Sequence, residues 1–307
     1  MLKLLKTALT GPPQARAAHR QALLHKPCIK TGIEQLQRIC PSTNDADDVA
    51  PIFLLSAGWR SGSTLLQRLI MSDSRVMIWG EPYDECGVIQ NMAESTQAFR
   101  ADWPPQNYYY DGSPPDSLSG DWIANLFPSV QDLHKAHRAF FDTLFTIPAE
   151  NAGASLWGIK EVRLGTEHCA YLRWLYPKAR FVFLYRNPLE AYRSYCRYGR
   201  SWYDTFPDKP VFTPSHFGKH WKYLVEGFLQ DASDLNALTI CYEDMIAGRT
   251  PLTELGAYLD ITINHEVLTN KVGSSKQGGK TTEVNWLEKR LLKHAVSPIA
   301  QQLGYNW

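Results

Sequence analysis

The chain has 307 residues, of which 44% are hydrophobic, enough for one large domain or two small domains with a sizeable core. Its 32 lysines and arginines balance 31 aspartates and glutamates, so the net charge of +1 does not indicate nucleic acid as a partner. No apolar run reaches the ~20 residues of a membrane-spanning helix. Any anion site must therefore come from a local arrangement of residues.

Residues 1–49 predict an N-terminal helical extension, with helical segments at 15–24 and 32–39 and a polar link, STNDADD, at its end. The opening MLKLLKTALTGPP is too short and too interrupted for a secretory signal. The six cysteines show no CxxC pair and no regular framework, which favours reduced thiols. We therefore expect a cytoplasmic protein.

Residues 51–70, PIFLLSAGWRSGSTLLQRLI, predict a strand, a tight polar loop and a helix in succession. The backbone N–H groups of such a loop point at one spot by the positive end of the helix, and that spot binds anions. Glycine lets a ligand approach closely, while arginine and hydroxyl groups add side-chain donors. The segment predicts a phosphate-binding loop made of Arg60, Ser61, Gly62, Ser63 and Thr64.

This loop differs from the ATP-binding pattern GxxxxGK[ST], in which a lysine follows the second glycine. Here Ser63 follows Gly62, and the cation of the loop, Arg60, lies two positions before the glycine. The missing lysine argues against an ordinary ATP site.

Four further strands are predicted, at 75–79, 156–162, 179–185 and 237–242. Helices are predicted at 131–145, 166–175, 189–198, 216–229 and 251–259. Strands that alternate with helices predict an α/β fold with about five parallel strands between two layers of helices. Residues 84–130, rich in proline and tyrosine, are too long for a structureless loop, and we expect them to cap the substrate site of a 50–307 domain.

Polar residues fall at the carboxyl ends of these strands, which is where parallel α/β sheets bind their ligands. Glu81 follows the second strand, and Lys160 lies on the third strand, which is otherwise apolar and gives a lysine little reason to be there. Arg186 follows the fourth strand, and Ser194 lies eight residues later in the next helix. An arginine fork with a hydroxyl group suits a dianionic phosphate.

These motifs together resemble the P-loop sulfotransferases that use 3′-phosphoadenosine 5′-phosphosulfate, most of all the branch of tyrosylprotein sulfotransferases and related bacterial proteins. The resemblance spans about residues 50–305. It includes RSGSTLL, RVMIWGEP, Lys160-Glu161, the Arg186 and Ser194 pair, ICYEDM and VGSSKQGGKTTEVN. Two positions depart from the family pattern: Trp59 stands where proline is usual, and Glu161 stands where aspartate is usual.

The resemblance implies a role for each of these residues. The loop would hold the 5′-phosphosulfate, and Arg186 with Ser194 would hold the 3′-phosphate. Tyr242 would line the adenine pocket, and a loop containing Ser275, Lys276 and Lys280 would close over the nucleotide. No metal is required, because the donor carries a good leaving group.

For the transfer itself, the resemblance assigns Glu81 as the base that takes the acceptor proton. Arg60 and Lys160 would stabilise the sulfonate and the bridging oxygen. His134 and His137, on the helix predicted at 131–145, are alternative bases.

The acceptor is less well defined. Tyrosines and tryptophans in the expected cap favour a carbohydrate or glycolipid hydroxyl first, and a phenol or peptide tyrosine second. Two other functions stay open: a P-loop kinase acting on a small molecule, and a non-catalytic protein that binds an adenine nucleotide.

Overall fold

A computed structural model describes residues 14, 28–41, 49–110, 125–197, 211–249, 252–269 and 283–306. Five strands form one parallel sheet: β1 (Ile52–Ser56), β2 (Val76–Gly80), β3 (Leu156–Glu161), β4 (Arg180–Tyr185) and β5 (Leu238–Cys241). Their order across the sheet is β2-β3-β1-β4-β5. Helices flank this sheet, so the predicted α/β fold is confirmed.

Helices lie before, between and after these strands. In chain order they are α1 (Ile29–Ile39), α2 (Ser63–Ile70), α3 (Val88–Glu94), α4 (Val130–Phe141), α5 (Ile147–Asn151), α6 (Thr166–Leu175), α7 (Pro188–Arg197), α8 (Pro214–Asp231), α9 (Tyr242–Ile246), α10 (Leu252–Leu259), α11 (Trp286–Val296) and α12 (Ile299–Gln302). No helix in these described ranges is long and apolar enough to cross a bilayer.

The two faces of the sheet bury different side chains. Because side chains alternate along a strand, Phe53 and Leu55 of β1 join a large core rich in aromatic rings, whereas Ile52 and Leu54 join a smaller aliphatic core. At Gly158 of β3, a Cβ atom would lie 2.1 Å from the carbonyl oxygen of Ile52. Only glycine lets β3 lie this close to β1.

The helix α1 belongs to the aromatic core. Ile29, Ile33 and Leu36 are buried there, and the helix packs against α6. It begins three residues before the predicted helix at 32–39. The helix predicted at 15–24 lies outside the described residues.

The predicted helix at 131–145 is divided in the structure. α4 ends at Phe141, and a single π-helical turn, Asp142–Thr146, leads into α5. Within that turn, the carbonyl group of Phe145 accepts a hydrogen bond of 3.2 Å from the indole of Trp79 on β2. The sequence period does not reveal this change, because the apolar side chains continue through the turn.

The helix α11 was not predicted, although its first residues carry a readable signal. Asn285 accepts from the amide of Glu288 at 2.9 Å, and the Glu288 carboxylate accepts from the amide of Asn285 at 3.1 Å. This reciprocal pair is a capping box, which marks the start of a helix. α11 packs closely on α8, where a Cβ atom at Gly218 would lie 2.8 Å from the Cβ of Ala295.

Candidate active site

The sheet order gathers the polar residues at one edge. β1 lies at the centre, with β3 on one side and β4 on the other, and all neighbouring strands are parallel. Their carboxyl ends therefore open at the same edge, around the loop that follows β1. β3 lies between β1 and β2, so Lys160 stands between the loop and Glu81.

The loop after β1 bends through three residues with positive φ: Gly58 at 81°, Arg60 at 65° and Gly62 at 93°. Gly62 precedes α2, and its carbonyl group accepts hydrogen bonds from the amides of Leu65 and Leu66. The first amides of a helix have no partner within it, so those at the start of α2 are available to an anion.

Hydroxyl groups lie in and beside this loop. Ser61 is fully buried, and its Oγ has no hydrogen-bond partner among the described residues. Ser63 is also buried, while Thr64 is exposed. A buried hydroxyl without a partner is unfavourable in a folded protein, which suits a ligand that supplies the missing acceptor.

Tyr242, the first residue of α9, covers Gly62. A Cβ atom at Gly62 would lie 2.2 Å from the tyrosine ring. The guanidinium carbon of Arg186 lies 4.4 Å from the centre of the same ring, within cation–π range. The Tyr242 ring therefore borders both Gly62 and Arg186.

The structure brings Arg60, Arg186 and Ser194 together. Arg60 Nε donates to Ser194 Oγ at 2.9 Å, and Arg186 Nη1 donates to the carbonyl oxygen of Arg60 at 3.0 Å. Arg186 Nε is buried and has no hydrogen-bond partner in the described part of the chain. The predicted partners of a 3′-phosphate are therefore neighbours, with one charged donor unused.

Glu243, which sequence reasoning missed, approaches the same arginine. Its Oε1 lies 4.0 Å from Arg186 Nε and accepts the amide of Asn187 at 3.0 Å. Its Oε2 accepts from the hydroxyl of Tyr305 at 3.0 Å. The motif ICYEDM contains this residue, but only the fold shows that it faces Arg186.

Glu81 and Lys160 form an ion pair. The Lys160 ammonium donates to Glu81 Oε1, and the Glu81 amide donates to the Lys160 carbonyl oxygen at 2.8 Å. Lys160 is buried, whereas the Glu81 side chain is 24% exposed. A buried ammonium thus holds a carboxylate that is still open to solvent.

The neighbouring residue Glu161 forms a second pair, which the sequence did not indicate. Arg163 donates to both of its carboxylate oxygens, at 2.6 and 3.1 Å, and both side chains are 2% exposed. Burial raises the pKa of Glu161, and the hydrogen bonds from Arg163 oppose that effect. Arg163 also reaches Asp84 at 2.7 Å.

The two candidate histidines lie on α4 and face α6. His134 Nε2 is 2.9 Å from the carbonyl oxygen of Trp174, and His137 Nδ1 is 2.9 Å from the hydroxyl of Tyr171. Burial lowers the pKa of His137. Trp174 lies at the end of α6 that leads to the start of β4, away from the edge where Glu81 and Lys160 meet.

The remaining predicted residues, Ser275, Lys276 and Lys280, lie outside the described residues.

A parallel α/β sheet with a candidate anion-binding loop after its central strand, beside arginines and a carboxylate–lysine pair, is typical of group-transfer enzymes that use a nucleotide. The family described as "Sulfotransferase family" matches residues 51–262, which is more than half of the chain. The chain belongs to the sulfotransferase family, as its motifs predicted. A search of the curated proteins found no sequence match to it.

Solved sulfotransferase structures are similar to this chain at low identity. The sulfotransferase domain of the Synechococcus PCC 7002 olefin synthase is 16% identical, with 87% of this chain and 98% of that chain covered and a TM-score of 0.45. The sulfotransferase domain of the curacin biosynthetic pathway is 19% identical, with 84% of this chain and 98% of that chain covered and a TM-score of 0.47. The mouse sulfotransferase SULT7A1, complexed with PAP, is 14% identical, with 78% of this chain and 65% of that chain covered and a TM-score of 0.35.

Proposed function

We propose that this protein transfers a sulfuryl group from 3′-phosphoadenosine 5′-phosphosulfate to an acceptor hydroxyl. The observation that carries the proposal is the meeting of two units at one edge of the sheet. One unit, at the ends of β1 and β4, offers amides, hydroxyls and arginines to phosphate groups. The other, at the ends of β2 and β3, offers a carboxylate held by a buried lysine.

The first unit fits a nucleotide with phosphate groups at two positions. The loop amides and the buried Ser61 hydroxyl, which has no hydrogen-bond partner in the described part of the chain, would take the 5′-phosphosulfate. Arg186, with a buried Nε–H that lacks a hydrogen-bond partner among the described residues, would take the 3′-phosphate together with Ser194. The Tyr242 ring beside Arg186 would border the adenine.

The second unit fits the transfer step. The acceptor oxygen attacks sulfur, a new S–O bond forms, and the bond from sulfur to the bridging oxygen of the donor breaks. Glu81 accepts the acceptor proton, while Lys160 and Arg60 stabilise the charge that develops on the sulfonate and the bridging oxygen. Such a transfer depends mainly on positioning and charge, as phosphoryl transfer does.

The proposed acceptor is a carbohydrate or glycolipid hydroxyl, with a phenol or peptide tyrosine as the second choice. Exposed aromatic side chains after β2 support an acceptor with a flat or ring-shaped apolar face: Tyr83, Trp103 and Tyr110. We propose further that residues 50–307 form the catalytic domain, with 1–49 as an extension and 84–130 as the acceptor cap, and that the protein acts in the cytoplasm.

The donor assignment is tested by calorimetric titration with 3′-phosphoadenosine 5′-phosphate, ADP and ATP·Mg²⁺. We expect tight binding of the bisphosphate, weak binding of ADP, and a loss of at least tenfold in bisphosphate affinity in Arg186→Ala. Arg193→Ala is the matched control, because Arg193 is an arginine of the same region that pairs with Glu190 on its own helix.

Equal or tighter binding of ATP·Mg²⁺ would contradict the proposal and favour a kinase. Tight binding of the bisphosphate without transfer to any sugar, phenol or peptide acceptor would favour a non-catalytic nucleotide-binding protein.

A further inference from the structure

The turn that carries Glu81 has an unusual backbone. Positive φ angles occur at Glu81 (28°), Tyr83 (56°), Asp84 (40°) and Gly87 (54°). Three of these residues are not glycine, and L-residues avoid this region because the Cβ atom crowds the backbone. Such a backbone persists where its surroundings hold it in place, and it is common beside functional groups.

One end of this turn is held by Lys160. The Glu81 amide donates to the Lys160 carbonyl oxygen at 2.8 Å, and the Glu81 carboxylate accepts from the Lys160 ammonium. The amide of Asp84 closes the turn on the Glu81 carbonyl oxygen at 3.0 Å. Movement at Asp84 would therefore reach Glu81 through one hydrogen bond and three peptide units.

The other end of the turn is held by Arg163. Its Nη1 donates to both the carbonyl oxygen and the carboxylate of Asp84, each at 2.7 Å. The guanidinium group is itself fixed by the buried Glu161, which also accepts from Gln90 at 3.3 Å. β3 and the residues directly after it therefore hold the turn at both ends.

We infer that Arg163 is a positioning residue for Glu81: by fixing Asp84, it keeps the Glu81 carboxylate against Lys160 in the geometry needed for proton transfer. This inference rests on the proposed role of Glu81 as base. Arginine suits the task because its planar fork serves Glu161 and Asp84 at once, whereas lysine concentrates its donors on one nitrogen.

Two variants separate this role from simple folding. Arg163→Lys keeps a positive charge for the buried Glu161, while it loses the fork. Asp84→Ala changes a side chain that is 65% exposed and leaves the Glu161–Arg163 pair intact. Asp102→Ala is the matched control, since Asp102 is also exposed and accepts from Arg100 at 3.1 Å.

The first measurement is amide hydrogen exchange over residues 81–86, which requires no activity. We expect the amides of Glu81 and Asp84 to exchange at least ~10-fold faster in Arg163→Lys, faster by a smaller factor in Asp84→Ala, which keeps the Asp84 carbonyl oxygen as an acceptor for Arg163, and at the wild-type rate in Asp102→Ala. Unchanged exchange in Arg163→Lys and Asp84→Ala would overturn the inference, whatever the protein catalyses.

The second measurement is sulfuryl transfer to octyl glucoside, as a sugar probe, from 3′-phosphoadenosine 5′-phosphosulfate. We expect kcat to fall at least ~10-fold in Arg163→Lys and by a smaller factor in Asp84→Ala, with the affinity for 3′-phosphoadenosine 5′-phosphate within about twofold of wild type in both variants. In a Glu81→Gln background, Asp84→Ala should cause no further loss, because the group that it positions is already gone.

Equal losses of kcat from Asp84→Ala with and without the Glu81 carboxylate would mean that the Arg163–Asp84 contact only supports the fold, and would overturn the inference. A wild-type protein that neither binds the bisphosphate nor turns over would contradict the proposed function instead, and hydrogen exchange would still test whether Arg163 holds the turn.

Discussion

The donor half of the site comprises Arg60, Arg186, Ser194, Tyr242 and Glu243. Its arginines meet a hydroxyl, a carbonyl group and an aromatic ring, and the carboxylate that approaches Arg186 Nε is 4.0 Å away. In the acceptor half, which comprises Glu81, Asp84, Lys160, Glu161 and Arg163, each cation donates directly to at least one carboxylate.

This difference separates two kinds of chemistry at one edge of a sheet. Arg186 contacts a carbonyl group and an aromatic ring, and among the described residues no carboxylate lies within hydrogen-bond distance of it, which favours an anionic ligand. Carboxylates neutralise the cations of the acceptor half, so that side suits an uncharged hydroxyl group and retains a base to deprotonate it. If the halves are separate in this way, changes at Glu81, Asp84 or Arg163 in the acceptor half should alter turnover, and changes at Arg186 or beside Tyr242 in the donor half should alter nucleotide affinity.

The largest expected effect is that of Glu81→Gln. We expect kcat with octyl glucoside to fall at least ~100-fold, because a sugar hydroxyl needs a base, while the affinity for 3′-phosphoadenosine 5′-phosphate stays within about twofold. With 4-nitrophenol, which is already ionised in mildly alkaline buffer, kcat should fall much less. Steady-state kinetics with both acceptors and calorimetry make the comparison, with Glu85→Gln on the same turn as control.

Turnover of the sugar probe within about tenfold of wild type corresponds to less than ~1.4 kcal/mol of barrier. That result would show that Glu81 is not the base. Other groups, including His137, would then be the candidates for that role.

Gly62→Ala should act in the donor half. The added Cβ would meet the Tyr242 ring at 2.2 Å, so the ring that borders Arg186 must shift. We expect nucleotide affinity to fall about tenfold or more in calorimetry. Gly153→Ala is the control, because Gly153 has a similar φ of 86° and a Cβ there would meet nothing within 4 Å.

Both substitutions carry a similar backbone strain, and only the one at Gly62 displaces a ring. If Gly62→Ala and Gly153→Ala cost the same in stability and neither alters nucleotide affinity, the Tyr242 ring plays no part in the donor half.

Local signals predicted much of this site from the sequence. The strand, loop and helix of residues 51–70 are adjacent in the chain, and each of the predicted strand ends carries its functional residue within a few positions. Arg186 and Ser194 could be linked from the sequence because they are only eight positions apart and because both belong to one motif of the family.

Contacts between distant segments could not be predicted in the same way. Arg163 and Asp84 are 79 positions apart, and they meet only because β3 lies between β1 and β2, an order that no single segment encodes. Glu243 is similar: its motif was noted, but its approach to Arg186 depends on β5 lying beside β4. The helix α11 is a different case, since its capping box was readable from the residues.

Asp73 forms a direct charge pair away from the site, which can be compared with the pairs of the acceptor half. It lies in the link between α2 and β2, at the opposite edge of the sheet. Hydrogen bonds from the Arg75 side chain, with further ones from the amides of Thr262 and Arg75, hold the pKa of its carboxyl group well below the usual range. A depressed pKa means that this stabilisation is present above the ordinary value near ~4 and is lost as the pH falls through the folded-state value.

We therefore expect Asp73→Asn to lower the free energy of unfolding by about 1–2 kcal/mol at pH 7, with nucleotide affinity unchanged. The difference from wild type should narrow progressively below pH ~4. Urea unfolding across this pH range measures both, with Asp102→Asn as an exposed control. A gap that stays constant with pH would show that the ionisation of Asp73 is not what stabilises the fold.

The smallest predicted effect tests the donor half most directly. Glu243 Oε1 lies 4.0 Å from Arg186 Nε, too far for a hydrogen bond, so its main effect on that arginine is to offset its charge. Glu243→Gln removes the negative charge and keeps an oxygen to accept the Asn187 amide. We expect 3′-phosphoadenosine 5′-phosphate to bind about fivefold tighter at low salt, about 1 kcal/mol, and the gain to shrink as salt is added.

Asp244→Asn is the matched control, because it removes the next carboxylate along the chain, which pairs with the exposed Arg249. Tighter binding in Glu243→Gln alone would show that the donor half attracts its ligand through charge left unbalanced on Arg186. Weaker binding would mean that Glu243 is needed to hold Arg186 in place, and that both halves of the site depend on carboxylates to position their cations.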